Sequence, residues 1–581
     1  MGLTNSVVWI GVPLGLMCAA TIASAQTPIE NVSPSTSDTP NTSPPRDIGN
    51  PQVRAGTPTT AVLRAHVAQA QVQGQGGIKN TQWVPAPSHG ETKPPPETGA
   101  SAPAASNGGG EQPAAPVVQE GNTDAGFDGK PLAGYHSGGM YIRDRADFFR
   151  LYPSYRIQLD SRHFAGPGVE HTGLKSTLMV RRAALYLRGE ILNHWQWEMM
   201  GDFAPSGIDS TPAQQPKYQA KPVVVLINYR FSDLVNLQMG QFVLPFMAEN
   251  LTSNNLTPFL ERSFIASSFG IPNGIDIGLM AWGNLPKDKV FWSVALVQGD
   301  GSSRPNIDKS WTVVSRVFTR PLVSGESELR NMQLGISFRY GAHDKRYVLY
   351  DYPSMRTRNG FVFWKPKYQG GDASRPATHV IPSGDEIAVA GELRLPFNRF
   401  DITSEYVYVH NQTREAYEGA QATNSERFGV MKGHGYHITW SYWFAGKPFA
   451  SGVPGNRRPK RVNLQKPEES SSDHSLELLV RWEQLFANYE SAARAGTPDS
   501  KTRDGDIRVN VASLGLNYWA MKHLRLSVNY GLNMFPRASA ATSTEQRAQA
   551  PGNQIAAGLD DDARNSAWLL HEFSTRVGVW F

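Results

Sequence analysis

The sequence predicts an all-β protein: a transmembrane antiparallel up-and-down β-barrel of about sixteen strands, with a disordered N-terminal extension. Three observations carry this. Segment after segment alternates apolar and polar residues with a period of two, so each strand has one oily face and one wet face. The connections between segments alternate between short and long, as periplasmic turns and external loops do in outer-membrane barrels. After residue 25 no run of about eighteen apolar residues occurs, which leaves a closed barrel as the way for this chain to span a bilayer.

The chain opens on an apolar run, Val7 to Ala20, followed by Ala23-Ser24-Ala25 before Gln26. That is the small-x-small pattern of a cleaved secretory signal, expected over residues 1–25, although no Lys or Arg precedes the run. The one cysteine, Cys18, lies inside this segment, so disulfides, thiolate metal sites and cysteine nucleophiles are excluded from the exported chain. Residues 26–137 are rich in Pro, Gly, Ser, Thr, Ala and Gln, with Pro94-Pro95-Pro96 and Gly108-Gly109-Gly110 as their plainest stretches. Such a composition buries too little apolar surface to offset chain entropy, and disorder is expected, either as a periplasmic arm or as an untethered tail. Across the 581 residues, 56 basic against 51 acidic side chains give a net charge of +5, too mild to argue for nucleic acid.

The barrel is expected over residues 138–581. A short strand, Gly138 to Arg143, turns back through Asp144 to Asp147 into a first wall strand. There Phe149, Leu151, Tyr155, Ile157 and Leu159 share one face, and Arg150, Tyr152, Ser154, Arg156, Gln158, Asp160 and Arg162 share the other. Pro153 falls on the oily face, which a strand tolerates near an end or a bulge. The pattern recurs: Ala183, Leu185 and Leu187 against Arg182, Tyr186 and Arg188; Trp195, Trp197 and Met199 against Gln196, Glu198 and Asp202; Val225, Ile227 and Tyr229 against Asn228 and Arg230. It returns in Met332 to Tyr340 and in Leu524 to Asn533, and closes the chain with Phe573, Val577, Val579 and Phe581 on one parity. A charge on a lipid-facing position near mid-bilayer costs about 2 to 4 kcal/mol, which explains why these faces are free of Lys and Arg. An aromatic last residue after such alternation also predicts recognition of Phe581 by the barrel-assembly machinery.

With Phe581 in the periplasm, the turns Ala520 to His523, Pro396 to Arg399, Leu285 to Lys289, Ser232-Asp233 and Ile191 to His194 fall on that side. The long connections Pro205 to Ala220, Ala248 to Asn273, Gly341 to Asp385, Asn411 to Gly433, Phe486 to Gly505 and Pro536 to Ser566 fall outside. This parity requires Met355 to Lys365 to be loop structure rather than wall. Gly446 to Asp473, long and basic, is the exception on the periplasmic side.

Several segments, in this order, resemble the phosphate-selective porin O and P family, trimeric sixteen-stranded channels of the bacterial outer membrane. They are Tyr141-Ile142-Arg143-Asp144 with Phe149 to Pro153, Val180-Arg181-Arg182-Ala183 with Leu187-Arg188-Gly189, and Met239 to Phe246 with Leu260-Glu261-Arg262-Ser263 and Asp276-Ile277-Gly278. Gly435 to Tyr442 and Leu514 to Tyr518 complete the set. The resemblance implies a homotrimer in outer-membrane lipid, passive diffusion of small anionic solutes such as phosphate or polyphosphate, and a basic turn at Arg457 to Arg461 folded toward the pore. The family binds phosphate through lysines and arginines near its constriction loop, whereas Ala248 to Asn273 holds no lysine. Outside that class stand an outer-membrane barrel enzyme and a loop-displaying adhesion barrel.

For a channel the chemistry is electrostatic, and arginine suits phosphate because its planar fork is permanently charged. By parity Arg156, Arg162, Arg182, Arg188, Arg230, Arg316, Arg339, Arg394, Arg525 and Arg576 face the lumen. They either contact permeant anions or pair with Asp160, Glu190, Glu198, Asp202, Glu392 and Glu405 on the same side. The loop Ala248 to Asn273 is expected to form the constriction, with Arg262 facing the ion and Glu261 anchoring the loop, or with both holding it in place. No catalytic motif occurs, His410, His434 and His437 notwithstanding, and no metal or cofactor is expected. Asp560-Asp561-Asp562 reads as a solvated acidic run or a surface cation site.

Overall fold

The computed structural model describes residues 126–581 except 127–128, 137–138, 167–168, 170–173, 205–220, 271–273, 307, 345–354, 358, 360–361, 365–366, 369–377, 418–426, 447, 449–473, 492–501 and 536–567. The expected signal, most of the expected N-terminal extension, the basic turn Arg457 to Arg461 and the acidic run at Asp560 lie outside the described residues.

Sixteen antiparallel strands form a closed wall. In chain order they are β1 (Phe149–Ala165), β2 (Thr177–Ile191), β3 (Trp195–Asp202), β4 (Lys221–Arg230), β5 (Asn236–Val243), β6 (Ile275–Asn284), β7 (Val290–Val297) and β8 (Thr312–Thr319). They continue as β9 (Gln333–Asp344), β10 (Thr378–Phe397), β11 (Phe400–Tyr417), β12 (Arg427–Ala445), β13 (Ser475–Ser491), β14 (Thr502–Met521), β15 (Leu524–Phe535) and β16 (Trp568–Trp580). Each strand pairs with the next, and β16 pairs with β1 from Trp580↔Arg156 to His571↔Ala165, so the sheet has no free long edge.

The seam is finished by the last residue. Phe581 exchanges both backbone hydrogen bonds with Tyr155, at 3.0 and 3.1 Å, and its ring stacks on His523 at 4.9 Å. Tyr135 hydrogen-bonds His523 Nε2 at 2.8 Å from a strand, Ala133–His136, that pairs with Gly139–Arg143. Regular structure thus begins a few residues before the expected boundary at 138, because pairing gives these short segments partners for their backbone groups. In this periplasmic turn, burial together with the neighbouring Lys522 pushes the His523 imidazole below its ordinary range.

The alternation does what it predicts. Leu237, Met239, Leu279, Ile336, Leu514 and Val528 are exposed on the outer face, while the opposite parity is buried inside. Met355–Arg356 pairs only with Val362–Trp364, apart from the wall, as the parity argument required. Several strands run further outward than the sequence suggested: β11 extends through Asn411 to Tyr417, and β9 to Asp344. Above the hydrocarbon both faces of a strand meet polar surroundings, so the alternation that marks a strand fades there.

Inside, the wall is layered. Toward the extracellular end of β7 to β13 a group of inward positions is small and apolar: Ala295, Val297, Val314, Ala388, Ala390, Val407, Val409 and Ala487. Toward the periplasm they are polar: Arg316, Gln333, Glu392, Arg394, Glu405, Thr439, Glu477 and Arg525. Trp443, Trp519 and Trp580 pack together at the periplasmic end of β12, β14 and β16.

Candidate functional site

The residues between β5 and β6 fold into the bore. Phe242, Leu244, Phe246 and Met247 enter the apolar layer, followed by a one-turn helix, α1 (Ala248–Leu251). After an irregular stretch, α2 (Phe264–Ser268) returns to the layer with Phe264, Ile265 and Ala266, and Phe269 follows it. These side chains are almost fully buried against Val407, Val409, Met431, Leu485 and their neighbours. Full burial of such side chains contributes about 1.5 to 3 kcal/mol each, so hydrophobic burial is a large part of what holds the loop. Two wall glycines make the approach close enough: a Cβ on Gly433 would meet the Phe269 ring, and one on Gly435 would meet Ile265.

The loop's helices bring backbone N–H groups that need acceptors. Glu405 accepts from Glu249 N at 2.6 Å, and Glu483 accepts from Phe264 N at 2.5 Å. The Ser263 side chain accepts from Ala266 N at 3.3 Å. Glu249 accepts from the Ser263 N–H at 3.0 Å and from its hydroxyl, and it faces Arg481 at 3.3 Å and His437 at 3.8 Å. The irregular stretch is held on the strands that follow, β14 to β16. Arg525 donates to Thr257 O at 2.8 Å, Asn517 to Pro258 O at 2.9 Å and Arg576 to Leu260 O at 2.6 Å, while Asn529 accepts from Leu260 N at 3.1 Å.

Glu261 is the centre of this second attachment. Arg181 approaches it at 2.7 Å, Arg576 at 2.8 Å, Arg162 at 3.2 Å and Arg182 at 3.6 Å. Asp160 shares two of these cations, with Arg576 across both its oxygens at 2.6 and 2.8 Å and Arg162 at 3.2 Å. Arg156 and Arg181 also lie close enough to repel Arg182 electrostatically. Four guanidiniums are therefore gathered around two carboxylates, with a fifth, that of Arg156, beside them.

Of the two roles expected for Arg262, facing the ion or holding the loop, its contacts in the structure are of the second kind. It donates to the carbonyls of Glu249, Asn250 and Thr252 at 2.9, 3.3 and 3.0 Å. The reason is local: the last carbonyls of a helix lack partners within it, and Arg262 is the donor at hand. The side chain of Arg230, at the end of β4, is 41% exposed and pairs with Asp233 in the adjoining turn.

Elsewhere the inward arginines are paired. Arg316 meets both oxygens of Glu392 at 2.9 and 2.6 Å, with Gln333 donating to the same carboxylate at 2.7 Å. Arg394 lies on Asp401 at 2.6 Å, Arg339 on Glu386 at 3.1 Å and Arg188 on Glu198 at 3.3 Å. Breaking a buried pair from one side typically costs about 3 to 5 kcal/mol, because the survivor keeps its desolvation penalty. Arg316→Met is accordingly expected to lower the temperature at which the folded barrel converts to its slow-migrating form in SDS gels, with little change in conductance.

Parity missed two members of this set. Arg181 reaches Glu261 because the β1–β2 register shifts between Gln158 and Leu159, a bulge that no alternation pattern discloses. Arg481 was within reach of sequence reasoning, since Glu477, Leu479, Arg481 and Glu483 alternate with Leu478, Val480 and Trp482.

Open space lies on the periplasmic side of the loop. A cavity of about 370 Å³ is lined by Arg156, Tyr186, Arg188, Ser253, Glu392, Arg394, Asp401 and Arg481, among others. A second, of about 330 Å³, shares Arg156, Tyr186, Arg188 and Ser253 and extends to Gly139, Trp580 and Phe581 at the periplasmic mouth. Between the two, Arg156 and Arg188 both lie over the Tyr186 ring, 5.1 and 5.4 Å from its centroid. Among the described residues no group of three or more His, Cys, Asp or Glu is placed to hold a metal ion. His410 and His434 lie outside the bore by strand parity, and His437 lies inside against Glu249.

Comparison with protein-family models matches residues 154–555 to the phosphate-selective porin O and P model. No curated protein matches the chain. Among solved structures, the chain is similar to a loop-deletion form of OmpT, an outer membrane protein of Vibrio cholerae, at 8% identity and a TM-score of 0.42, covering 75% of this chain and 100% of that one. It is also similar to the outer membrane channel DcaP of Acinetobacter baumannii (10% identity, TM-score 0.37, 76% and 99% covered). A third is OprB of Pseudomonas putida (11% identity, TM-score 0.37, 74% and 94% covered).

Proposed function

Since the chain belongs to the phosphate-selective porin O and P family and is an outer-membrane porin, we propose that it passes small hydrophilic solutes passively and prefers anions. The observation that supports the preference is Arg156, which borders both open cavities and stands beside the cluster of Arg162, Arg181, Arg182 and Arg576 on Asp160 and Glu261. Charges in a partly dry lumen are screened less than in water, so an excess of guanidinium on one wall raises the local concentration of anions. Arg156 and Arg188 border both cavities together with Glu198, which pairs with Arg188 and leaves Arg156 as the cation that a passing solute meets first. Glu261 and the rest of the cluster act as the anchor that keeps the loop, and with it the passage, in place. The loop segment carries no lysine, so the preference is for small anions in general rather than for phosphate alone.

In planar bilayers under a KCl gradient, the reversal potential should take the sign of chloride preference. Arg156→Gln with Arg188→Gln should shift it toward potassium while leaving the barrel folded. A reversal potential indifferent to both changes, or cation preference in the unaltered protein, defeats this reading. Family membership also supports a homotrimer, which native mass spectrometry of the extracted protein would test, and the closing aromatic Phe581 supports recognition by the barrel-assembly machinery, which loss of assembled barrel on deleting Phe581 would test.

A further inference from the structure

On β11 to β14 the outward face changes character at its extracellular end. Below, the outward positions are apolar: Ile438, Trp440, Val480, Trp482, Leu514 and Leu516. Above them, Tyr408 is followed at the next outward position by His410, and Tyr436 by His434, then Lys432. Cross-strand pairs join these into one patch: His410↔Lys432, then His434↔Phe486, then Phe486↔Arg508. The His434 ring packs between Tyr406, at 6.3 Å, and Phe486, at 5.1 Å. The Gln484 amide lies 2.8 Å from both Asn510 and the Arg508 guanidinium. Residues opposite one another in a sheet stand about 5 Å apart, so four basic or imidazole groups from three strands occupy one patch on the lipid side of the wall.

None of these side chains can reach a solute in the lumen, because their parity sends them the other way. They stand just above the aromatic ring level, which is where headgroups replace hydrocarbon. We propose that this patch binds the phosphate groups of an anionic lipid in the outer leaflet, with Lys432 and Arg508 supplying charge, and His410 and His434 supplying ring N–H donors. The rings of Tyr406, Tyr408 and Phe486 cover the upper part of the acyl chains.

The test uses the full-length barrel in detergent and native mass spectrometry, with lipid A, phosphatidylethanolamine or inorganic phosphate added. The unaltered protein should retain lipid A in preference to phosphatidylethanolamine, retain no inorganic phosphate, and lose lipid A as salt rises. Lys432→Gln with Arg508→Gln should weaken retention about thirtyfold, from the contribution usual for two basic residues near an anionic surface. Bilayer conductance of that variant should be unchanged, which shows that the barrel is intact. Equal retention by the variant, equal retention of phosphatidylethanolamine, or loss of association between copies in place of lipid loss would each overturn the proposal.

Discussion

Glu261→Ala should release the loop. Four arginines converge on that carboxylate, and without it Arg162, Arg181, Arg182 and Arg576 are left around Asp160 alone. Buried like charges drawn together without their counter-ion are costly, and a loss of about 3 to 5 kcal/mol follows from breaking such a site from one side. The stretch Thr257 to Leu260 would then hang on neutral hydrogen bonds and on Arg525 and Arg576 at its carbonyls. Single-channel recordings should show larger and noisier conductance, and the folded form should melt at lower temperature. Glu261→Gln keeps the shape and should fail nearly as badly, since the charge is what is missing. Conductance and melting like those of the unaltered protein in both variants would show that the arginines hold one another's places by other means.

The second large effect comes from the apolar attachment. Ile265→Ala together with Phe269→Ala removes side chains that are 0% and 2% exposed and sit against Gly435 and Gly433. Large-to-small changes in a packed core cost about 2 to 5 kcal/mol each. The second helix of the loop should leave the wall, conductance should rise, and protease added to the open barrel should cut within Ala248 to Phe269. Because these residues are uncharged, ion preference should stay as it was even as conductance grows, which separates the plug from the charge selection.

The wall could be read in advance because one physical rule, lipid outside and water or protein inside, acts on every strand alike. Leu334, Ile336 and Phe338 against Gln333, Ser337 and Arg339 announce their faces without reference to anything distant. The site could not be read so fully, since its partners come from far along the chain. Glu261 and Arg576 are 315 residues apart, and Glu249 meets Glu405 across 156. The two roles open to Arg262 could not be told apart in the sequence for a related reason: parity does not govern a loop, and the carbonyls at the end of α1 that it meets lie ten or more residues before it. Nor did the sequence announce the apolar upper bore. Ala388, Ala390, Val407 and Val409 are ordinary strand residues until Phe246 and Ile265 arrive to cover them.

Arg576 lies in the final strand, and it is the residue that ties Asp160 in the first strand to both Glu261 and the Leu260 carbonyl. Until that strand pairs with β1, the seam is open and the lock on the loop lacks one of its bolts. Contacts between the two ends of a chain close late, because the loop-closure entropy must be met before they return anything. The loop inside the bore is therefore locked in the same event that seals the cylinder.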